Sequence, residues 1–558
     1  MRCRTAFALL FLPGAALAVP GPDSTVVVAS SSVAESLQLG QVYAEARGLP
    51  DSHVCTVPVD DRNTIDFAEY IASFETPLLR CLQEGGIEDR IEAFVIARGL
   101  PIRVAVPSED GNRRVALAAL LGVWTSRIVR GERLAGQAFG VQANCGGTPC
   151  YAARYANPYT NGIFSADWSR TSRGIEWRPK LVTMLHGRSY EQAQKLIASA
   201  TTAEARSPTG RFVFMQGANA PRAVLDAQYQ GVGQALEAEG LEVDIVPFDA
   251  NLTFAFPIAG FFTGTQSIGD TIEANDYAAG SLVDNLTSLG AVPNNFTADG
   301  ESQVSIARWI ERGAAGVHGC TDEPLNNVFP NRALMTDYAQ GFTLAESFFR
   351  RMPFVYWRNL VLGDPMTAPY ATRPQVRASL FEDASISGGT ELSIEVVDER
   401  ALQSVTLYLD GVEIERVEGG DRIELCLETA PDGPAQLLAV AQVAASADPA
   451  QPKGWIAVDF SGDGSRGSCE PPPTDMGPAQ DAGGMDMGPP DAGASTPDFG
   501  TTEPMDMGAR PDAGSTPSTP ITDPEDEAGS GCSASGAQPL LVLLLGLLVS
   551  ASRRRRSA

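Results

Sequence analysis

The segment Thr343–Tyr370 reads TLAESFFRRMPFVYWRNLVLGDPMTAPY, and it closes a stretch, beginning near Phe254, whose order of elements decides the fold. Immediately upstream a strand is expected over Ala314–Val317. Before that, Ile306, Ala307 and Ile310 share one face of a helix predicted over Gln303–Arg312. Further back, one apolar strand runs through Ala259-Gly260-Phe261-Phe262-Thr263-Gly264, and Leu286-Thr287-Ser288-Leu289-Gly290 follows after a gap. Strands separated by helices in this way make parallel sheets joined by crossovers.

The same rhythm is present from the start of the chain. Thr25–Ser30 is a β-branched run, Val33–Arg47 has helical spacing, and Gly48-Leu49-Pro50 stops it. Strand Val54–Val57, a helix over Phe67–Gln83 and strand Glu92–Ala97 follow, and then an apolar helix over Ala116–Trp124. The Gly, Asn, Tyr and Pro-rich passage to Trp168 reads as a long insertion at the sheet edge. The pattern resumes with strand Lys180–Leu185. Ser189 and Gln192 then have the spacing of a capping box, and strand Arg211–Met215, helix Pro221–Glu239 and strand Leu241–Val246 complete this part.

From about Gln375 the period changes to two: Leu392, Ile394 and Val396 alternate, as do Val405, Leu407 and Leu409, with Asp410-Gly411 as a hairpin turn. The expected fold is therefore α/β, with mainly parallel sheets and flanking helices in two units, 24–179 and 180–374. A β-sandwich of immunoglobulin type follows at 375–469. Residues 470–531 repeat Asp-Met-Gly at 475, 486 and 506 and Asp-Ala-Gly at 481, 491 and 512, and they are almost devoid of core-forming side chains. Such a segment cannot offset its ordering entropy and is expected to be a disordered stalk.

Both ends have the composition of addresses. Arg2 and Arg4 precede an apolar run and Ala16-Leu17-Ala18, the pattern of a signal peptide over 1–18. Segment 532–558 contains Gly531-Cys532 at its border, the apolar run Leu540–Val549 and Arg553–Arg556. As a helix that run rises only about 15 Å against a bilayer core of about 30 Å, so its flanks must join it to span a membrane. Export and cell-surface anchoring are expected, with the membrane reached through this C-terminal segment. The formal charge of −27 excludes a nucleic-acid partner, which needs clustered Lys and Arg. Seven cysteines remain between the two ends, an odd number. Pairing Cys145 with Cys150 and Cys426 with Cys469 is expected and Cys55 with Cys81 is possible, which leaves Cys320 over.

Several of these stretches carry resemblances. STVVVASSSVAESLQLGQVYAEARGLPDSHV (24–54), FVIARGLPIRV (94–104), GFFTGTQSIGDTI (260–272), DYAAGSLVDNLTSLG (276–290) and RWIERGAAGV (308–317), with Thr343–Pro365, resemble a widespread bacterial family of exported proteins with no assigned activity. The C-terminal Gly-Cys, short apolar run and arginine cluster resemble the myxobacterial C-terminal sorting signal, which implies anchoring through Cys532. More distantly, TLAESF and LGDP resemble the end of gingipain-like cysteine peptidases, whose caspase-like core precedes an immunoglobulin-like domain. In those peptidases one strand ends in Gly-His-Gly and the next in the nucleophilic cysteine. Here the corresponding positions read Gly260-Phe261-Phe262-Thr263-Gly264 and Leu286-Thr287-Ser288-Leu289, so the resemblance implies the shape without the dyad.

The histidines of the mature chain are His53, expected in a surface loop, His186 at the end of a strand, and His318 in the trio His318-Gly319-Cys320. That trio is predicted at the carboxyl end of a strand, where α/β proteins place ligands. Asp322 and Glu323 follow it, and Asp364 is expected to cap a turn. There is no P-loop, HExxH, zinc set or GxSxG, and no cofactor is expected. Three functions remain open. The first is a surface-anchored, non-catalytic binding or structural protein whose partner is an extracellular protein or polysaccharide. The second is a cysteine hydrolase using Cys320 with His318 or His186. The third is an enzyme using the carboxylates near Asp322 and Glu323.

Overall fold

The computed structural model describes residues 19–108, 111–123, 142–145, 148–150, 155–157, 180–204, 208–297 and 300–469, with only the backbone given at 108, 111–112, 142–145, 148–150 and 155–156. The signal peptide, the stalk, Cys532 with the C-terminal segment, and the side chains of Cys145 and Cys150 lie outside the described residues.

Ten strands make one sheet. In chain order they are β1 (Thr25–Ser30), β2 (Val54–Val57), β3 (Ala93–Ala97), β4 (Leu181–Leu185), β5 (Arg211–Met215), β6 (Val243–Val246), β7 (Ile258–Thr263), β8 (Tyr277–Asn285), β9 (Gly316–Cys320) and β10 (Asn359–Gly363). Their order across the sheet is β6-β5-β7-β8-β9-β10-β4-β3-β1-β2. Pairing is parallel along β6-β5-β7-β8-β9 and along β4-β3-β1-β2. Strand β10 runs antiparallel to β9, with Cys320 opposite Asn359, and meets β4 where Leu362 faces Met184. Leu181–Leu185, the start of the second stretch of α/β rhythm, pairs with Ala93–Ala97, so the sheet is continuous across the long insertion. The mixed α/β architecture with a mainly parallel sheet is as expected from the strand and helix alternation.

Helices cover both faces, which is why the central strands read as unbroken apolar runs: every residue of β1, β3 and β4 is buried. Helix α1 (Ala34–Arg47) ends at Gly48, whose φ of 65° is left-handed and lets Leu49 N–H return to the Ala44 carbonyl. After it, His53 is fully buried rather than in a surface loop. Its Nδ1 is 2.9 Å from the Thr25 carbonyl and its Nε2 is 3.0 Å from Arg90 Nη2.

Three predicted helices are shorter or interrupted, each for a local reason. Phe67–Gln83 contains a π-helical stretch at Tyr70–Glu75 before α2 (Thr76–Glu84). Pro221–Leu225 folds as turns and Asp226–Gln228 as a 3-10 turn, with Asp226 also accepting from Gly217 N–H, and the α-helix starts only at Tyr229. Residues 302–306 are held out of helix by Asn295, whose side chain receives Ser302 N–H and donates to the Gln303 carbonyl. The helix proper is Ala307–Glu311, and the strand after it is β9, Gly316–Cys320, not Ala314–Val317. His318 and Cys320 therefore lie within a strand instead of following one.

Residues 375–463 form two further sheets. Strands β11 (Gln375–Ala378), β13 (Thr390–Val397) and β16 (Arg422–Leu427) make one. The other contains β12 (Ala384–Ile386), β18 (Lys453–Asp463), β17 (Asp432–Val443), β14 (Leu402–Leu409) and β15 (Val412–Glu418). Leu392, Ile394 and Val396 from the first share an apolar cluster with Val405, Leu407, Leu437 and Phe460 from the second. The β14–β15 turn has Asp410 at φ 49° and Gly411 at φ 78°, the left-handed pair that a two-residue hairpin needs. This turn sits on the sheet domain, where Arg90 donates to the Gly411 carbonyl and lies over the Tyr408 ring.

Among the described residues two disulfides are present, Cys55–Cys81 between β2 and α2 and Cys426–Cys469 at the end of the described chain. The second closes a sequence separation of 43 residues. Replacing Cys426 and Cys469 together by alanine is expected to lower stability by about 2–4 kcal/mol, read as a fall in the urea midpoint. An unchanged midpoint would show that this crosslink contributes little.

Candidate functional site

Alternation along β9 puts His318 and Cys320 on one face and Gly319 on the other. The glycine is required there because a Cβ at 319 would come within 2.7 Å of Ile306 Cγ2. Both side chains are fully buried. From β10, Asn359 is directed between them. Its Oδ1 is 3.3 Å from His318 Nε2 and 3.6 Å from Cys320 Sγ, while its Nδ2 donates to the carbonyls of Val328 and Phe354. On the far side of the ring, His318 Nδ1 is 2.6 Å from Asp284 Oδ1, at the end of β8. The second oxygen of Asp284 accepts from Arg332, whose guanidinium lies 4.5 Å over the Phe262 ring.

This arrangement determines what the pair can do. Both ring nitrogens of His318 face side-chain oxygens, Nδ1 that of Asp284 and Nε2 that of Asn359. Neither nitrogen is therefore committed to the Cys320 thiol, whose own contact is also to the Asn359 oxygen. Burial, reinforced by the Asp284 charge, pushes the Cys320 thiol well above its usual range, away from the thiolate a nucleophile requires. Leu286, Val328, Phe329 and Trp357 enclose it in an apolar cluster. Burial alone would raise the Asp284 carboxyl, but Arg332 and His318 overcome this and hold it below its ordinary value.

His186 takes no part in this group. It stacks edge-on against Phe296 at 4.5 Å, with Nδ1 3.3 Å from Arg98 Nη1. Burial first, and then the Arg98 charge, bring its pKa down to about 3. Asp322 makes an ion pair with Arg114 at 2.8 Å and accepts the N–H of Glu323. The described contacts of His318 do not include either carboxylate. Phe261 and Phe262 are core residues. Thr287 binds the side chains of Gln303 and Arg222.

Sequence reasoning missed Asp284, Arg332 and Asn359. The available signal was a carboxylate inside the apolar strand sequence SLVDN, which demands a buried cationic partner. Asp364 does cap its turn, accepting from Met366 N–H at 3.0 Å. It is also fully buried, receives Tyr43 Oη at 2.8 Å and pairs with Arg47, which reaches on to Glu204.

Among the described residues no group of three or more His, Cys, Asp or Glu side chains is placed to hold a metal ion, and no helix is long and apolar enough to cross a membrane. No protein-family model matches the chain, and no curated protein matches it. Among solved structures it is similar to the fibronectin(III)-like modules of Clostridium thermocellum CbhA, at 13% identity over 16% of this chain and 94% of that one, with a TM-score of 0.13. A lytic polysaccharide monooxygenase of Jonesia denitrificans matches at 14% identity over 14% of this chain and 57% of that one, with a TM-score of 0.12. At these scores neither likeness bears on fold or function.

Proposed function

We propose that this chain is an exported, surface-anchored binding or structural protein without catalytic activity, built on a degenerate gingipain-like scaffold with an immunoglobulin-like sandwich as its spacer. The observation that carries this is the position of Asn359. Its carboxamide oxygen stands between His318 and Cys320 and engages both, so the one histidine beside the one buried free thiol among the described residues is not free to act as its base. The two disulfides are in keeping with an oxidising compartment.

Alkylation of Cys320 tests this reading. In the folded protein, labelling by iodoacetamide, followed on the Cys320 peptide, is expected to be at least about a hundredfold slower than in urea. Rapid labelling of the native protein would overturn it in favour of a hydrolase using Cys320 with His318, particularly with a peptidase signal that Cys320→Ala abolishes.

A further inference from the structure

Throughout most of the molecule arginine is matched by carboxylate, as in Arg47 with Asp364, Arg308 with Glu273 and Arg351 with Asp337. The carboxyl rim of the sheet is different. That the ends of β3, β4, β8 and β9 share this rim is shown by two contacts. Arg103, beyond β3, donates to the Thr321 carbonyl just past β9, and His186, just past β4, stacks on Phe296 in the turn after β8.

Four half-buried arginines on this rim, Arg98, Arg103, Arg222 and Arg358, make no ion pair with any described residue. Each directs its N–H groups to neutral oxygens instead. Arg98 uses the Gly187 carbonyl, Arg103 that of Thr321 at 3.3 Å, Arg222 that of Leu286 at 3.2 Å, and Arg358 that of Glu323. Three cations are gathered around one residue pair, Thr321-Asp322. The Arg103 guanidinium donates to the Thr321 carbonyl, the backbone carbonyl of Arg358 accepts from Thr321 N–H while its Nε donates to the Arg114 carbonyl at 3.4 Å, and the Arg114 guanidinium pairs with Asp322. The Trp357 ring lies 4.5 Å behind the Arg358 guanidinium and holds its plane. Burial is the main cause lowering the proton affinity of both Arg103 and Arg358; neighbouring arginines lower it further, and Asp322 offsets this only in part. Such crowding of like charge, in a chain of formal charge −27, is a local reversal of sign that an anion would relieve.

We propose that this rim is an anion-binding site, centred on Arg103, Arg114 and Arg358, that takes carboxylate groups of a free polycarboxylate or of the uronate units of an acidic polysaccharide. Planar guanidinium forks held by backbone carbonyls and by an indole are pre-organised for carboxylate oxygens. Asp322 already pairs with Arg114 Nε at 2.8 Å, so an incoming anion must be accommodated beside that carboxylate. The inference rests on the rim being a binding face. It is read by ligand titration and not by thiol chemistry, so either can fail while the other stands.

The test uses the full chain in metal-free buffer, titrated calorimetrically with citrate and separately with oligogalacturonate. Binding of at least one is expected, weakening severalfold as ionic strength rises from about 0.02 to 0.2 M. Arg358→Gln and Arg103→Gln are each expected to weaken it at least about tenfold, with Arg358→Lys, which keeps the charge and loses the fork, falling between. Arg312→Gln, whose native partner is Asp276, is the control and is expected to bind as the parent does. Oligogalacturonate tighter than citrate by about tenfold identifies the polysaccharide as the source, and citrate equal or tighter identifies a free polycarboxylate. No binding of either probe, or binding unchanged in variants whose melting shows them folded, would overturn the proposal.

Discussion

Asp284→Ala is expected to destabilise the protein by about 3–5 kcal/mol, the largest effect of any single substitution around the His318–Cys320 pair. The carboxylate is fully buried and answers two buried groups at once, Arg332 through one oxygen and His318 through the other. Removing it leaves a guanidinium in the core with no counter-charge, and such a group costs far more than a lost contact. Cys320→Ala is expected to cost under about 2 kcal/mol. Its Sγ makes one long contact of 3.6 Å, and most of what is lost is the sulfur's packing. Urea midpoints at constant slope measure both. If the order were reversed, with Cys320 the more costly, the network would not be the structural keystone inferred from its hydrogen bonds.

The second large effect is a loss of stability in acid that can be assigned to single histidines. Burial holds the pKa of His186 at about 3 and that of His53 at about 4, against an ordinary value of 6.5. For a group whose folded pKa is depressed, the unfolded chain takes up the proton first. The folded state is therefore unpenalised above pH 6.5 and loses about 1.4 kcal/mol per pH unit below it, until the folded pKa is reached. Other groups titrate in the same range, including Glu346, whose burial raises it to about 7 and which acts in the opposite sense between 4.5 and 7. The clean measurement is thus a difference. Between pH 6.5 and pH 4.5 the parent protein is expected to lose about 2 kcal/mol more than His186→Asn does, and likewise more than His53→Gln. A pH-independent difference between parent and variant would mean that the ring is hydrated or already charged in the native state.

How far the sequence could be read depended on the range of the forces involved. The alternation of β-branched runs with helical spacing was enough to locate seven of the ten large-sheet strands, because burial on both faces imposes apolar runs that are visible locally; β9 was read two residues early, and β8 and β10 were not delimited. The stop at Gly48 and the hairpin at Asp410-Gly411 were legible for the same reason, since left-handed backbone selects its residues. Helix ends were read less well. Pro221–Leu225 and Gln303–Ile306 have helix-compatible residues, yet they stay out of α-helix, with side-chain bonds from Asp226 and Asn295 on either side of them.

His53 shows the limit most plainly. A polar residue before a strand reads as surface, and only the approach of Arg90 and of the Gly411 turn, distant in sequence, encloses it.

What the chain's own order of residues settled was the α/β class, the parallel strands, the change to period two after Gln375 and the leftover thiol at Cys320. Each of these follows from hydrophobic periodicity, turn chemistry or cysteine count, and those are properties of neighbours along the chain. Tertiary structure alone decided that β10 enters the sheet beside β9, and with it that Asn359 stands between a histidine and a cysteine only two residues apart. It alone brought Arg103, Arg114 and Arg358 onto one rim. The physical reason is the same in both cases: a hydrogen bond or a charge acts over a few ångströms of space, however many residues of chain lie between its ends.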